Sequence, residues 1–288
     1  MVRRNSPFND LEQSVQNTIS HPWFERLARL GYAAKGLVYF VVGLLALQAA
    51  IGTGGQTTDT SGALEAIVAQ PFGKSLLVIV AIGLVGYVLW RVVQTVLDPE
   101  SSGQHLDAKH VVQRIGYAFS AIAYTGLAAT AIKLISGSGS SSLSGSGGDT
   151  TQDWTARFLA QPFGQWLVGI AGVIAIAVGI SYLYEAYKAK FRRHLNLSTL
   201  NAKQQTWAVR SGRFGIGSRG IVFGIIGIFF VQAAIRSNPN EAKGLGTALA
   251  ALAQQPFGPW LLGLVALGLI AYSIYSLIEA RYRSFSPS

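Results

Sequence analysis

The tetrapeptide Gln-Pro-Phe-Gly occurs three times, as Gln70-Pro71-Phe72-Gly73, Gln161-Pro162-Phe163-Gly164 and Gln255-Pro256-Phe257-Gly258. Each copy precedes a long apolar run, and successive copies stand 91 and 94 residues apart. Three identical tetrapeptides in one register define a repeated unit. The chain is thereby limited to folds made by juxtaposing copies of one motif.

The repeat extends upstream of the tetrapeptide. At an offset of 184 residues, Gly31, Lys35, Gly36, Gly43 and Gln48 match Gly215, Arg219, Gly220, Gly227 and Gln232. The middle unit follows at an offset of 85 but is degenerate. Gly116, Tyr117 and Tyr124 keep the identities of Gly31, Tyr32 and Tyr39, whereas Ser120, Ala121 and Lys133 replace Lys35, Gly36 and Gln48.

Only 12% of the residues are charged and 50% are apolar. A soluble domain carries about 25% charged residues, so part of this chain's solvent must be lipid. Six apolar runs stand out: Leu37–Ile51, Leu76–Leu97, Ile115–Ile135, Trp166–Tyr184, Ile221–Ile235 and Leu261–Ile278. They approach the roughly 20 residues a spanning helix needs. The first and fifth reach it once the apolar residues before Lys35 and Arg219 are included, because long basic side chains snorkel. None alternates with the period of a barrel strand.

The expected fold is therefore an all-α polytopic membrane protein. Six transmembrane helices form three parallel two-helix repeats in a pseudo-threefold bundle. A polar segment occupies residues 1–25. The repeats fall at 26–98, 110–188 and 210–283, with a Gly/Ser-rich linker at 136–148 in the second unit. Within each unit a short amphipathic segment precedes Gln-Pro-Phe-Gly: Leu64–Val68, Trp154–Phe158 and Leu245–Leu252. Each is expected to lie in the outer interface. The tetrapeptide reads as a rigid corner, a type I turn with proline at its second position.

Net charge is +10. Of the 23 Lys and Arg, five (Lys74, Lys133, Arg157, Arg236 and Lys243) fall in the segments on the Gln-Pro-Phe-Gly side. The other 18 fall on the opposite side. The positive-inside rule places that side, with both termini, in the cytoplasm. This topology explains the basic balance without nucleic acid. The basic segment Lys188–Arg213 is suited to anionic lipid at the inner face.

Chemistry has little to work with. There is no cysteine, which excludes disulfides and thiolate sites. His21, His105, His110 and His194 all fall in polar segments, so no metal, haem or other cofactor is expected. No base stands beside a hydroxyl to activate it, so no catalytic residue is assigned and no enzyme activity is expected. The polar residues near the spans form two layers. An inner layer holds Lys35, Arg219, Glu185 and Glu279, with Ser120 and Gln94. An outer layer holds Gln48, Lys133 and Gln232. Helical spacing turns Gln48 by about 220° from Lys35, which argues against one straight conduit. Arg219 is expected to pair with Glu279, offsetting the cost of an acid at a helix C-terminus.

The segment Arg29-Leu30-Gly31-Tyr32-Ala33-Ala34-Lys35-Gly36 and the three Gln-Pro-Phe-Gly copies resemble the bacterial membrane family known as domain of unknown function 1206. The resemblance covers about residues 25 to 283 and is weakest in the middle unit. It implies two-helix units, three per chain, in a bacterial inner membrane. It implies no activity and transfers no site residue. The expected function is that of a structural or interaction component of the membrane. The alternative is a small-solute transporter or channel on the pseudo-threefold axis.

Overall fold

The computed structural model describes residues 22–97, 108–137, 147–195 and 201–283. Most of the polar segment 1–25 and the interior of the Gly/Ser linker lie outside these residues. The linker expected at 136–148 is shorter than that, because Ser136 ends one helix and Gly147 begins the next.

The helices are α1 (Pro22–Ala50), α2 (Thr60–Val68), α3 (Gly73–Leu97), α4 (Ala108–Ser136), α5 (Gly147–Leu159), α6 (Gly164–Lys188), α7 (Ala202–Arg236), α8 (Leu245–Ala253) and α9 (Gly258–Tyr282). A 3₁₀ turn, Lys190–His194, follows α6, and another, Pro239–Glu241, follows α7. Six helices, α1, α3, α4, α6, α7 and α9, are long and apolar enough to span a membrane. Each repeat contributes two of them with a short helix between. The architecture is a polytopic membrane bundle of three two-helix repeats.

Two of the short helices turn their apolar faces into the protein. The apolar face of α2 (Ala63, Leu64, Ile67) is buried at 0–3% exposure, as are Ala248 and Leu249 of α8. Helix α2 packs on α1, α3 and α4, and α8 on α9, α7 and α5. These helices cap the bundle with their apolar sides turned into protein, where the apolar area is removed from both water and lipid. Asp59 accepts hydrogen bonds from the backbone N–H groups of Ser61 and Gly62 and so caps α2, satisfying two donors that the helix itself cannot.

Each Gln-Pro-Phe-Gly forms a corner, but of another turn type. The fourth-residue N–H donates to the glutamine carbonyl at 2.8, 2.9 and 2.7 Å in the three copies. Phe72, Phe163 and Phe257 have φ of 62°, 66° and 61°. Proline second and positive φ third define a type II turn, not the expected type I. The fourth position admits no side chain: a methyl on Gly73 would stand 2.6 Å from the Val68 carbonyl oxygen. Each Phe carbonyl accepts the first hydrogen bond of the following helix, at 3.1 Å in all three. The three phenyl rings are 79–89% exposed. With the exposed Trp166 and Trp260 one turn on, they form an aromatic belt of the kind found at membrane interfaces.

Proline pre-sets the second turn position and narrows the unfolded ensemble. Replacing Pro71, Pro162 or Pro256 by alanine is expected to cost about 0.4–1 kcal/mol each, read as a lower detergent melting temperature. Three unchanged melting temperatures would reassign the motif to ligand contact.

The spanning helices pack in the order α4, α3, α1, α9, α7, α6. The contacts between repeats obey a threefold relation. A methyl on Gly36 of α1 would stand 3.2 Å from the Ser273 carbonyl oxygen of α9. One on its counterpart Gly220 of α7 would stand 2.8 Å from that of Gly179 on α6. Ala121, the third counterpart, is buried. Inside the repeats the relation breaks. Gly31 lies against the backbone of Tyr87, and its counterpart Gly215 against that of Tyr272. In the middle repeat, a methyl on Gly116 would meet nothing within 4 Å, and Val178 occupies the position of the two tyrosines. Helices α4 and α6 are not a packed pair. The bundle is an arc with a seam between the two spans of its middle repeat. Accordingly, α4 and α6 bury 22% and 17% of their span windows, against 33–56% for the other four.

Candidate functional site: a buried layer of cations and tyrosines

Near one end of the bundle, basic residues of α1, α3, α7 and α9 meet tyrosines of all six spanning helices except α7. Helix rise fixes the depth. Lys35 is 15 residues from the end of α1 and Arg219 is 17 from the end of α7, about 22 and 26 Å. Both distances start from the corner end, so in a hydrocarbon layer about 30 Å thick the cluster lies close to the opposite boundary.

Lys35 and Glu279 are 2% and 4% exposed, and Lys35 Nζ stands 3.6 Å from Glu279 Oε2. Arg283 Nη1 donates to Glu279 Oε1 at 2.6 Å. One carboxylate thus serves two cations. The rings of Tyr32, Tyr87 and Tyr272 surround Lys35 Nζ at 4.7, 5.1 and 5.2 Å, and such contacts offset part of the cost of burying an ammonium. Arg29 donates to the carbonyl oxygens of Ala280, Arg281 and Arg283. It thereby caps the C-terminus of α9, whose last carbonyls have no helical partner.

Arg91 of α3 donates to Tyr87 Oη and to Gln94 Oε1, the latter at 2.9 Å. Tyr87 packs edge-on against Tyr32 and Tyr124, with centroids 5.2 and 4.5 Å apart. Arg219 of α7 donates to Tyr272 Oη at 2.5 Å. Its guanidinium carbon lies 4.4 Å from the Tyr272 ring centroid, 5.0 Å from Tyr182, 5.1 Å from Tyr39 and 5.5 Å from Phe223.

The expected Arg219–Glu279 pair is therefore not formed. Glu279 is held by Lys35, from the neighbouring repeat, and by Arg283, the residue that follows α9. Equal depth along two helices did not decide the pairing; the rotation of each helix did. Of the inner layer, the structure brings Lys35, Glu279 and Gln94 into the buried cluster with Arg219 beside it. Glu185 is half-buried on α6. In the outer layer Gln48 is half-buried and Lys133 is exposed. The Gln-Pro-Phe-Gly residues stand at the far end, away from this cluster. No Ser–His–acid arrangement occurs among the described side chains of the cluster.

The tyrosines and Arg91 and Arg283 were missed by sequence reasoning, although a signal existed. The register that superimposes Gln70, Gln161 and Gln255 also superimposes Tyr87, Val178 and Tyr272, and Gln94, Glu185 and Glu279. Aligning the second helix of each repeat, and not only the first, exposes both series.

Six apolar spans, three repeats and a buried polar layer at one end define a multi-pass membrane protein built from repeated helix pairs. The chain belongs to the family described as Domain of Unknown Function (DUF1206), whose model matches residues 30–98, 115–189 and 214–283. The uncharacterized protein YxxB of Bacillus subtilis (strain 168) is similar to it, 38% identical over 262 residues, which cover 91% of this chain and 92% of that one. No solved structure matches.

Proposed function

We propose that the protein is a structural or interaction component of the bacterial cytoplasmic membrane, without catalytic activity, with both termini and the basic end in the cytoplasm. Its partners in this reading are the bilayer and anionic lipid of the inner leaflet, not nucleic acid. The observation that carries the reading is the filled interior. One apolar cluster draws buried side chains from all six spanning helices, among them Val42 of α1, Leu84 of α3, Leu127 of α4, Ala186 of α6, Ile216 of α7 and Leu269 of α9. The ion-paired Lys35 and Glu279 close one end of it. A conduit for a polar solute needs a continuous polar lining, and apolar side chains stand in its way.

Two measurements test the reading. Proteoliposomes loaded with a small-ion-sensitive dye are expected to leak no faster than empty liposomes; protein-dependent flux would favour the transporter alternative. Topology is open to cysteine labelling because the chain has no native cysteine. Ser146→Cys is expected to label from outside intact cells and Ser101→Cys only after permeabilisation. Both positions lie outside the described residues. Equal labelling from outside would end the assignment of sides.

A further inference from the structure

The packing of the interior leaves Arg219 unexplained. An arginine stays charged in a protein, and a charge within a span needs compensation. Lys35, at the same repeat position, has Glu279 for this. Arg219 donates to the Tyr272 hydroxyl, and its buried Nε has no hydrogen-bond partner among the described residues. The threefold relation that gives Lys35 its acid would give Arg219 the acid of α6, Glu185. Glu185 makes no ion pair with Arg219 and interacts elsewhere. Glu279, a buried carboxylate of the layer, is thus taken by Lys35 and Arg283, and Arg219 is left with tyrosines.

We propose that Arg219 holds the phosphodiester of a phospholipid that enters through the seam between α4 and α6. Three observations converge on it. Arg219 stacks against the ring of Tyr182 on α6, one of the two helices that border the seam. The seam is not closed by packing, since α4 and α6 are not a packed pair and a methyl on Gly116, whose counterpart Gly31 lies against Tyr87, would meet nothing within 4 Å. The depth of about 26 Å from the corner end places the guanidinium near the hydrocarbon boundary, where the phosphates of that leaflet begin. A guanidinium presents planar, forked donors that match phosphate oxygens. The inference deepens one part of the reading above, the anionic lipid partner, and rests on its placing the chain in a phospholipid membrane.

The test is a thermal-shift titration of the delipidated full-length protein in a neutral maltoside detergent. The probes are dioctanoyl phosphatidylglycerol, dioctanoylglycerol and inorganic phosphate. Saturable stabilisation is expected with the phospholipid alone. Arg219→Gln is expected to weaken its apparent affinity by about tenfold or more, whereas Lys188→Gln, an exposed cation at the same end, is expected to change it by less than about twofold. Gly116→Phe adds a ring on the seam side of α4 where a methyl would meet nothing within 4 Å and is expected to weaken binding as well, which keeps the test decisive if Arg219→Gln does not fold. An equal shift with dioctanoylglycerol or with inorganic phosphate would overturn the assignment. So would unchanged affinity in Arg219→Gln or in Gly116→Phe, or an equal loss in Lys188→Gln. Binding in detergent does not depend on which way the chain faces a membrane, so failure here is separable from failure of the topology.

Discussion

Replacing Glu279 by glutamine is expected to lower stability by about 3–5 kcal/mol, because it leaves buried cations without their carboxylate. Lys35 is 2% exposed and Arg283 Nη1 sits 2.6 Å from the acid, so water cannot take over the lost interaction. The fall should be visible as a detergent melting temperature lower by roughly 10 °C. Adding Lys35→Met to Glu279→Gln should recover part of the loss, since the double variant removes a charge along with its partner. A double-mutant cycle should give a coupling of about 1–3 kcal/mol for Lys35 with Glu279 and a smaller one for Arg219 with Glu279. Additive losses for Lys35 and Glu279 would show that the two do not interact.

The second large effect separates repeats that are zipped from the one that is not. Gly31→Ala would place a methyl 2.6 Å from the Tyr87 amide nitrogen, and Gly215→Ala would drive one against the Tyr272 backbone. Backbone cannot yield as a flexible side chain can, so each substitution is expected to cost about 1–3 kcal/mol or more. Gly116→Ala has open space around it and replaces glycine by a better helix former. It is expected to be neutral or to stabilise by up to about 1 kcal/mol. The same substitution at three repeat-equivalent positions should thus change sign. A destabilisation at Gly116 as large as at Gly31 would mean that α4 and α6 do meet in the membrane.

Much of this fold was legible because repeats carry their own alignment. The three Gln-Pro-Phe-Gly copies located the helix pairs, and the apolar runs located the spans, since both signals are local. The corner geometry was not legible. Phenylalanine at positive φ is uncommon, and only the requirement that Gly73, Gly164 and Gly258 approach the preceding helix forces the turn. The pairing of Arg219 was misjudged for a different reason. Depth along a helix follows from counting residues, but the azimuth of one helix against another follows from packing. Here packing is set by glycines that meet Ser273, Ala266 and Tyr87, contacts no single helix reveals. The seam was foreshadowed by the degenerate middle repeat. Its meaning depended on Val178, whose place opposite Gly116 emerges only when the second helices are aligned.

The arc has a further consequence for how the protein is made. Helices α1 and α9 pack side by side, yet they leave the ribosome far apart in time. Lys35 precedes Glu279 by 244 residues. At about 5–20 residues per second, the ammonium waits on the order of 10–50 s for its carboxylate. During that time α1 is a membrane segment with a charge it cannot neutralise, held by snorkelling to the headgroups or by the insertion machinery. The nascent bundle therefore stays open until α9 arrives, and α9 acts as the latch between α1 and α7.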